Sequence, residues 1–173
     1  KTTRPPHPLP SPAAAAAALA RVQWPGRFER LETPPLVLDG AHNEHAARVL
    51  AATWKEEFPG RKAALVFAAS ADKHIREMIP VLREIAGEWH LVPCTSPRIM
   101  PAQEMAALLA GQETGPVFIH STLPDGLQAA LASPFPSLAA GSLFLLGDLK
   151  ALLRHAEKRS TAQYPLQPLC FSP

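Results

Sequence analysis

An α/β fold is what this chain predicts, because short apolar runs alternate with stretches of helical periodicity and each run ends in small or polar turn residues. About five strand-helix units follow one another. Such a succession requires right-handed crossovers, and hence a mainly parallel, Rossmann-like sheet of about five or six strands with helices on both faces. The apolar runs show no two-residue alternation, as expected of strands covered on both sides.

The elements follow in order. Lys1 to Pro10 carries four prolines and reads as an exposed connector. Ala13 to Ala18, with Leu19, Ala20 and Val22, reads as a helix opened by Ser11 and Pro12 and closed before Trp24-Pro25. Leu36 to Leu38 is a strand, and Glu44 to Phe58 a helix with Ala47, Leu50, Ala51 and Trp54 inward, stopped by Pro59-Gly60. Ala63 to Ala68 is a buried strand. Asp72 to Ile85 is a helix with Ile75, Met78, Ile79 and Leu82 inward, in which Pro80 predicts a kink or break. Trp89 to Val92 is the third strand, Pro101 to Ala110 a helix ended by Gly111, Val117 to His120 a strand, and Pro124 to Ala132 a helix. Leu143 to Leu146 is expected as a strand and Leu149 to Lys158 as the last helix, with an irregular tail from Gln163.

Composition excludes several classes of function. A chain of 173 residues suits one domain and can bury about 70% of its unfolded surface without staples. The net charge of +2 is too small, and the basic residues too dispersed, to argue for nucleic acid or a membrane. Arg154, Lys158 and Arg159 cluster, but as a solvated helix end that suits the helix dipole. Cys94 and Cys170 are too few and too distant for a metal site or a disulfide framework, which fits a reducing cytoplasm. No apolar run approaches the ~20 residues that span a bilayer, and the start lacks the apolar region of a signal peptide.

Function is written most clearly in Leu36-Val-Leu-Asp-Gly-Ala-His-Asn43, where a strand delivers Asp39, His42 and Asn43 to its junction with a helix. Open α/β sheets bind ligands at such junctions. Upstream, Pro25 and Gly26 mark Trp24-Pro-Gly-Arg-Phe-Glu29 as a turn that presents Arg27. These segments resemble the Mur-ligase superfamily, in particular its folate branch of folylpolyglutamate and dihydrofolate synthases. The resemblance continues through Phe67-Ala-Ala-Ser-Ala-Asp-Lys73, Cys94-Thr-Ser-Pro-Arg98 and Gly141-Ser-Leu-Phe-Leu-Leu-Gly147, so it spans about Pro8 to Leu153. It implies that residues 1–30 are connector, helix and hinge from an upstream domain, 31–160 a C-terminal α/β domain with one antiparallel strand, and 161–173 a tail.

The resemblance also implies the chemistry. In that family the ATP γ-phosphate activates a carboxylate as an acyl phosphate, which an amino-acid amine displaces to form an amide. Such a reaction needs cations at the triphosphate, where one well-placed donor is worth ~3 kcal/mol of barrier. Arg27 is the cation on offer, as a catalytic and nucleotide-binding residue, and a hinge salt bridge to Glu29 or Asp39 is its structural alternative. Asp39 is expected at the crevice edge, touching the nucleotide or its metal, or else capping the following helix. His42 is expected to contact an anion beside a helix N-terminus rather than to act as a general base. Asn43 is read as a cap first and a nucleotide contact second.

Ser70, Asp72 and Lys73 are candidate contacts for the incoming glutamate, with an N-cap as the plainer reading, and Ser96 and Arg98 are weaker candidates on the next loop. His120 and Ser121 stand at a strand end with no motif to support them. Relatives carry proline where Glu44 stands and aspartate where His74 stands, which unsettles the local charge. Cys94 has no partner pattern of a nucleophile.

No G-x-x-x-x-G-K-[ST] occurs, nor a G-x-G-x-x-G after any expected strand. The resemblance therefore implies a C-terminal half that folds alone and catalyses nothing alone, with ATP and Mg2+ held mainly by an upstream P-loop domain and no metal ligands of its own. The expected partners are ATP, L-glutamate and a folate or dihydropteroate, in a cytoplasmic, monomeric enzyme without nucleic-acid or membrane contacts. The alternatives are the same domain of a cell-wall Mur ligase, or a stand-alone nucleotide-binding or regulatory module of this fold.

Overall fold

The structure, a computed structural model, describes residues 24–71, 75–112 and 114–163, together with Ser11, Ala13 and Ala14, with side chains as far as 156. The expected connector at 1–10, most of the expected first helix, Asp72, Lys73, His74, Cys170 and the tail from 164 lie outside the described residues.

Six strands form one sheet: β1 (Glu29–Leu31), β2 (Leu36–Leu38), β3 (Ala63–Phe67), β4 (Ala86–Leu91), β5 (Val117–Ile119) and β6 (Ser137–Ala140). The order across the sheet is β1-β2-β6-β3-β4-β5. All neighbours run parallel except β1, which pairs antiparallel with β2. That is the one antiparallel strand the resemblance implied, at one edge, and its first residues lie within the segment read only as a hinge turn.

Among the described residues five helices follow strands: α1 (Glu44–Glu57), α2 (Ile75–Leu82), α3 (Ala102–Leu109), α4 (Leu123–Leu131) and α5 (Leu143–Gln163). Side chains alternate along β3, so that Leu65 and Phe67 join Trp54, Met78, Ile79 and Met105 on the α1–α3 face. Ala64 and Val66 join Leu127, Leu145 and Leu149 on the α4–α5 face. Burial on both faces explains why the strands read as unbroken apolar runs.

α1 starts where Asn43 accepts the Ala46 amide at 2.9 Å, and it ends at Phe58, stacked on Trp54 with ring centroids 4.3 Å apart. The Trp54 indole donates to the Arg61 carbonyl, so this fully buried ring is also satisfied. α2 stops at Leu82, short of the expected Ile85. The helix runs through Pro80 without the break expected there, the missing N–H falling at the Arg76 carbonyl, and beyond Leu82 the chain tightens into bonds from Glu84 to Val81 and from Ile85 to Leu82. Strand β4 therefore begins at Ala86, earlier than expected.

The principal correction concerns the last strand. Leu143 to Leu146 is not a strand but the first turn of α5, which continues unbroken through the residues expected as a separate helix; the strand is Ser137–Ala140. Burial shows why: Leu143 and Phe144 are 58% and 44% exposed, whereas Leu145, Leu146 and Leu149 are buried at helical spacing. Ser142 caps the helix, its Oγ accepting the Phe144 amide at 3.1 Å and its carbonyl the Leu146 amide.

Candidate functional site at the carboxyl edge of the sheet

Strands β2, β6, β3, β4 and β5 run parallel, so the loops that follow them crowd along one edge. β6 sends its chain into α5 on the face opposite α1 and α2, which follow its two neighbours β2 and β3. A crevice forms where neighbouring strands part to opposite faces. Gly141, at φ 112°, lies at that point: its amide donates to the Ala41 carbonyl, and a Cβ there would stand 2.6 Å from the Ala68 carbonyl. The turn after β2 and the end of β3 are thus joined through a residue that only glycine suits.

The hinge folds back onto this edge. Asp39 is 7% exposed, and its Oδ2 accepts the Phe28 amide while its Oδ1 accepts the Ala41 amide, both at 2.8 Å. The Gly40 amide donates to the Gly26 carbonyl at 2.7 Å. Burial pushes the Asp39 carboxyl above the usual aspartate range, opposed by those two amides and by the charge of Arg27. The carboxylate expected at the crevice edge is therefore turned inward as the clasp of the hinge. It does not cap α1; Asn43 does.

Glu29 fastens the other side, its Oε2 accepting the Gly26 amide at 2.6 Å and Lys150 of α5 at 2.5 Å. Burial pushes its carboxyl up, but the Lys150 hydrogen bond, the Gly26 amide and the Lys150 charge together hold it below the usual glutamate range. Arg27 is exposed and forms no ion pair among the described residues. It lines a cavity of about 430 Å³ together with Trp24, Pro25, Phe28 and Glu29. The salt bridge to Glu29 or Asp39 considered for Arg27 is absent.

His42 is half-buried, and its Nδ1 meets the Gly40 carbonyl at 2.8 Å. A carbonyl only accepts, so Nδ1 carries the proton and Nε2 is left to face a ligand. The loop after β4 is zipped onto the loop after β3: Ala71 donates to the Arg98 carbonyl, Met100 to the Ala69 carbonyl, and Ser70 bridges Ile99. Ser70, Ser96 and Arg98 are thereby brought into adjacent loops, although Ser70 is buried and Arg98 exposed. Asp148 of α5 holds this loop by accepting the Thr95 amide and hydroxyl, both at 2.8 Å. Burial and the Asp148 charge push the Cys94 thiol up to about 12, which bears out its reading as no nucleophile.

His120 and Ser121 line a cavity of about 370 Å³ shared with Ser96 and Gln103. Behind them, His90 Nε2 lies 3.0 Å from Glu88 and His90 Nδ1 lies 3.0 Å from His120 Nε2. This chain and the Lys150 and Asp148 clasps escaped sequence reading, because each joins side chains distant in sequence or related only by pairing of β4 with β5. Ser142 could have been found: Gly-Ser before an apolar run is a helix-start signature.

The edge as a whole offers a free guanidinium and hydroxyls, which suit phosphate or carboxylate oxygens, and an imidazole Nε2 that donates to such oxygens only when the ring is protonated. Among the described residues no group of three His, Cys, Asp or Glu could hold a metal ion. No helix among them is long and apolar enough to cross a membrane. Fold and site together define a mainly parallel α/β domain with polar side chains gathered at the carboxyl edge of its sheet.

Residues 26–146 match the family model described as Mur ligase, glutamate ligase domain, and the chain belongs to that family. The dihydrofolate synthase/folylpolyglutamate synthase of Bacillus subtilis is 33% identical over 143 residues, 79% of this chain and 32% of that protein. The bifunctional folylpolyglutamate synthase/dihydrofolate synthase of Yersinia pestis, solved with AMPPNP and a Mn ion, superposes with a TM-score of 0.71 at 29% identity, covering 84% of this chain and 35% of the other. A structure of the same kind of enzyme with Mn, AMPPNP and L-glutamate bound gives a TM-score of 0.69 at 29% identity, over 84% and 36% of the two chains. This chain spans about a third of the length of the relatives it matches.

Proposed function

We propose that this chain is the C-terminal, glutamate-ligase part of an ATP-dependent folylpolyglutamate or dihydrofolate synthase, and that it closes a nucleotide site whose other wall is an upstream P-loop domain. The enzyme would add L-glutamate to a folate or dihydropteroate carboxylate through an acyl phosphate, as a cytoplasmic monomer. The observation that carries this reading is Arg27. It stands exposed on a turn clasped from two sides, beside an open cavity, with both hinge carboxylates bonded elsewhere. An exposed guanidinium that rises from a clasped turn and makes no ion pair among the described residues is suited to fork onto phosphate oxygens.

In this division of labour the upstream domain would hold Mg2+ and the β- and γ-phosphates. ATP when bound supplies the phosphoryl group that activates the acceptor carboxylate. This chain's residues orient and neutralise: Arg27 at the phosphates, the free Nε2 of His42 and the outer face of Asn43 beside them, and Asp39 mainly by holding the turn that carries Arg27. Nucleotide or metal contact by Asp39 itself would have to reach the remaining lone pairs of a carboxylate that is buried and already accepts two amides. The loops bearing Ser70, Asp72, Lys73, Ser96 and Arg98 would receive glutamate. Domains 1–30, 31–160 and 161–173 remain part of this proposal.

The test is glutamate incorporation by the full-length enzyme, with dihydropteroate and reduced folates as alternative acceptors, against the isolated chain. Incorporation by the full-length enzyme and none by the isolated chain supports the reading. Micromolar ATP affinity of the isolated chain in calorimetry contradicts it.

A further inference from the structure

We propose that Lys150 is a positioning residue, which keeps the Arg27 guanidinium available to phosphate by neutralising the carboxylate of Glu29; this rests on the reading of Arg27 given above. Two carboxylates lie within the hinge, Asp39 and Glu29. Asp39 is buried, and each of its oxygens accepts one amide, of Phe28 or Ala41. Glu29 is less buried, stands two residues from Arg27 and lines the same cavity, so it is a second carboxylate in the guanidinium's surroundings.

An ammonium from the far end of the chain prevents this. Lys150 reaches Glu29 from α5, 121 residues further along the sequence. Both side chains are about a quarter exposed, so the pair is shielded from water more than an ordinary surface pair. The placement of α5 is set by close packing on the hinge: a Cβ on Gly26 would meet Leu146 at 3.0 Å, and one on Gly40 would meet Leu143 at 2.5 Å. The helix that follows β6 thereby determines which cation Glu29 receives. Without the ammonium, Glu29 would be left with the Gly26 amide and a half-buried charge, and the planar fork of Arg27, which lines the same cavity, would become its remedy. A guanidinium so paired must be withdrawn before it can meet a triphosphate.

The experiment has two arms. In the 173-residue chain, the Glu29 carboxyl is followed by carbon NMR across acid pH in Lys150→Met, which keeps the aliphatic stem, and in Lys150→Met with Arg27→Ala. Glu29 should titrate below an ordinary glutamate in the first variant, because Arg27 replaces Lys150, and return to the ordinary range in the second. Identical titration in both variants overturns the inference. In the full-length ligase, Lys150→Met should lower kcat about tenfold. Adding Glu29→Gln should restore it, and Lys150→Arg should retain it. A loss that Glu29→Gln does not relieve marks Lys150 as merely structural and overturns the inference. An Arg27→Ala ligase of normal turnover removes the reading of Arg27 itself, whatever the titration reports.

Discussion

The carboxylate of Asp39 accepts the backbone amide of Phe28, eleven residues upstream, at 2.8 Å. Phe28 has a φ of 43°, a conformation that costs a non-glycine residue about 1–2 kcal/mol and persists only where its surroundings impose it. The bond therefore sets the direction in which the neighbouring Arg27 leaves the turn.

Removing that clasp should be costly to the fold. Asp39→Ala leaves the Phe28 and Ala41 amides without acceptors, and a buried donor without a partner costs about 1–3 kcal/mol. Urea denaturation should show a lower midpoint with an unchanged slope. An unshifted midpoint would mean that water reaches both amides.

Much of this arrangement was legible beforehand, and the part that was not has a physical cause. Asp39, His42, Asn43 and Arg27 could be placed because strand ends and Pro-Gly turns are local features. Strand β6 could not, since Ser137-Leu-Ala-Ala140 lacks the branched and aromatic residues that mark strands and is held by pairing with β2 and β3. The run Leu143-Phe-Leu-Leu146 has strand-like composition, which outweighed the Gly-Ser helix start before it, and its burial pattern reveals the helix. The inward turn of Asp39 was equally hidden, because its partner amide belongs to a segment that sequence shows only as a turn.

Gly141→Ala should destabilise the chain by about 2–4 kcal/mol, combining left-handed strain with overpacking. A Cβ there would lie 2.6 Å from both the Ala68 carbonyl and the Phe67 ring. Thermal unfolding tests this, and a melting temperature equal to that of the parent would show that the turn after β6 can relax without loss.

His120 should make stability depend on pH. Burial lowers the His120 pKa from 6.5, the His90 charge lowers it further, and Asp125 opposes them in part. The unfolded chain then binds a proton that the folded chain resists, so stability is full above pH 6.5 and falls as pH drops from there towards the folded value. Glu29 acts in a separate window: its folded pKa is lowered, so its contribution is present above 4.5 and is lost as pH falls below that. Urea midpoints between pH 5 and 7 should slope in the parent and flatten in His120→Gln. Equal slopes in the two would place the titrating group elsewhere.

Trp54→Ala should cost about 3–5 kcal/mol, since it empties the centre of the α1 face and strands the Arg61 carbonyl. Trp54→Phe should cost less, by keeping most of the stack on Phe58. Comparable losses from the two variants would assign the effect to the indole hydrogen bond rather than to packing.

The most direct test of the central claim is Arg27→Ala in the full-length ligase, with turnover and unfolding free energy measured on the same protein. Turnover should fall about 10²–10³-fold, as for loss of one charge-stabilising donor, while stability shifts by no more than about 0.5 kcal/mol, as for an exposed side chain. Unchanged turnover, or a loss of stability matching the loss of turnover, would contradict the claim that this guanidinium is held free for a triphosphate.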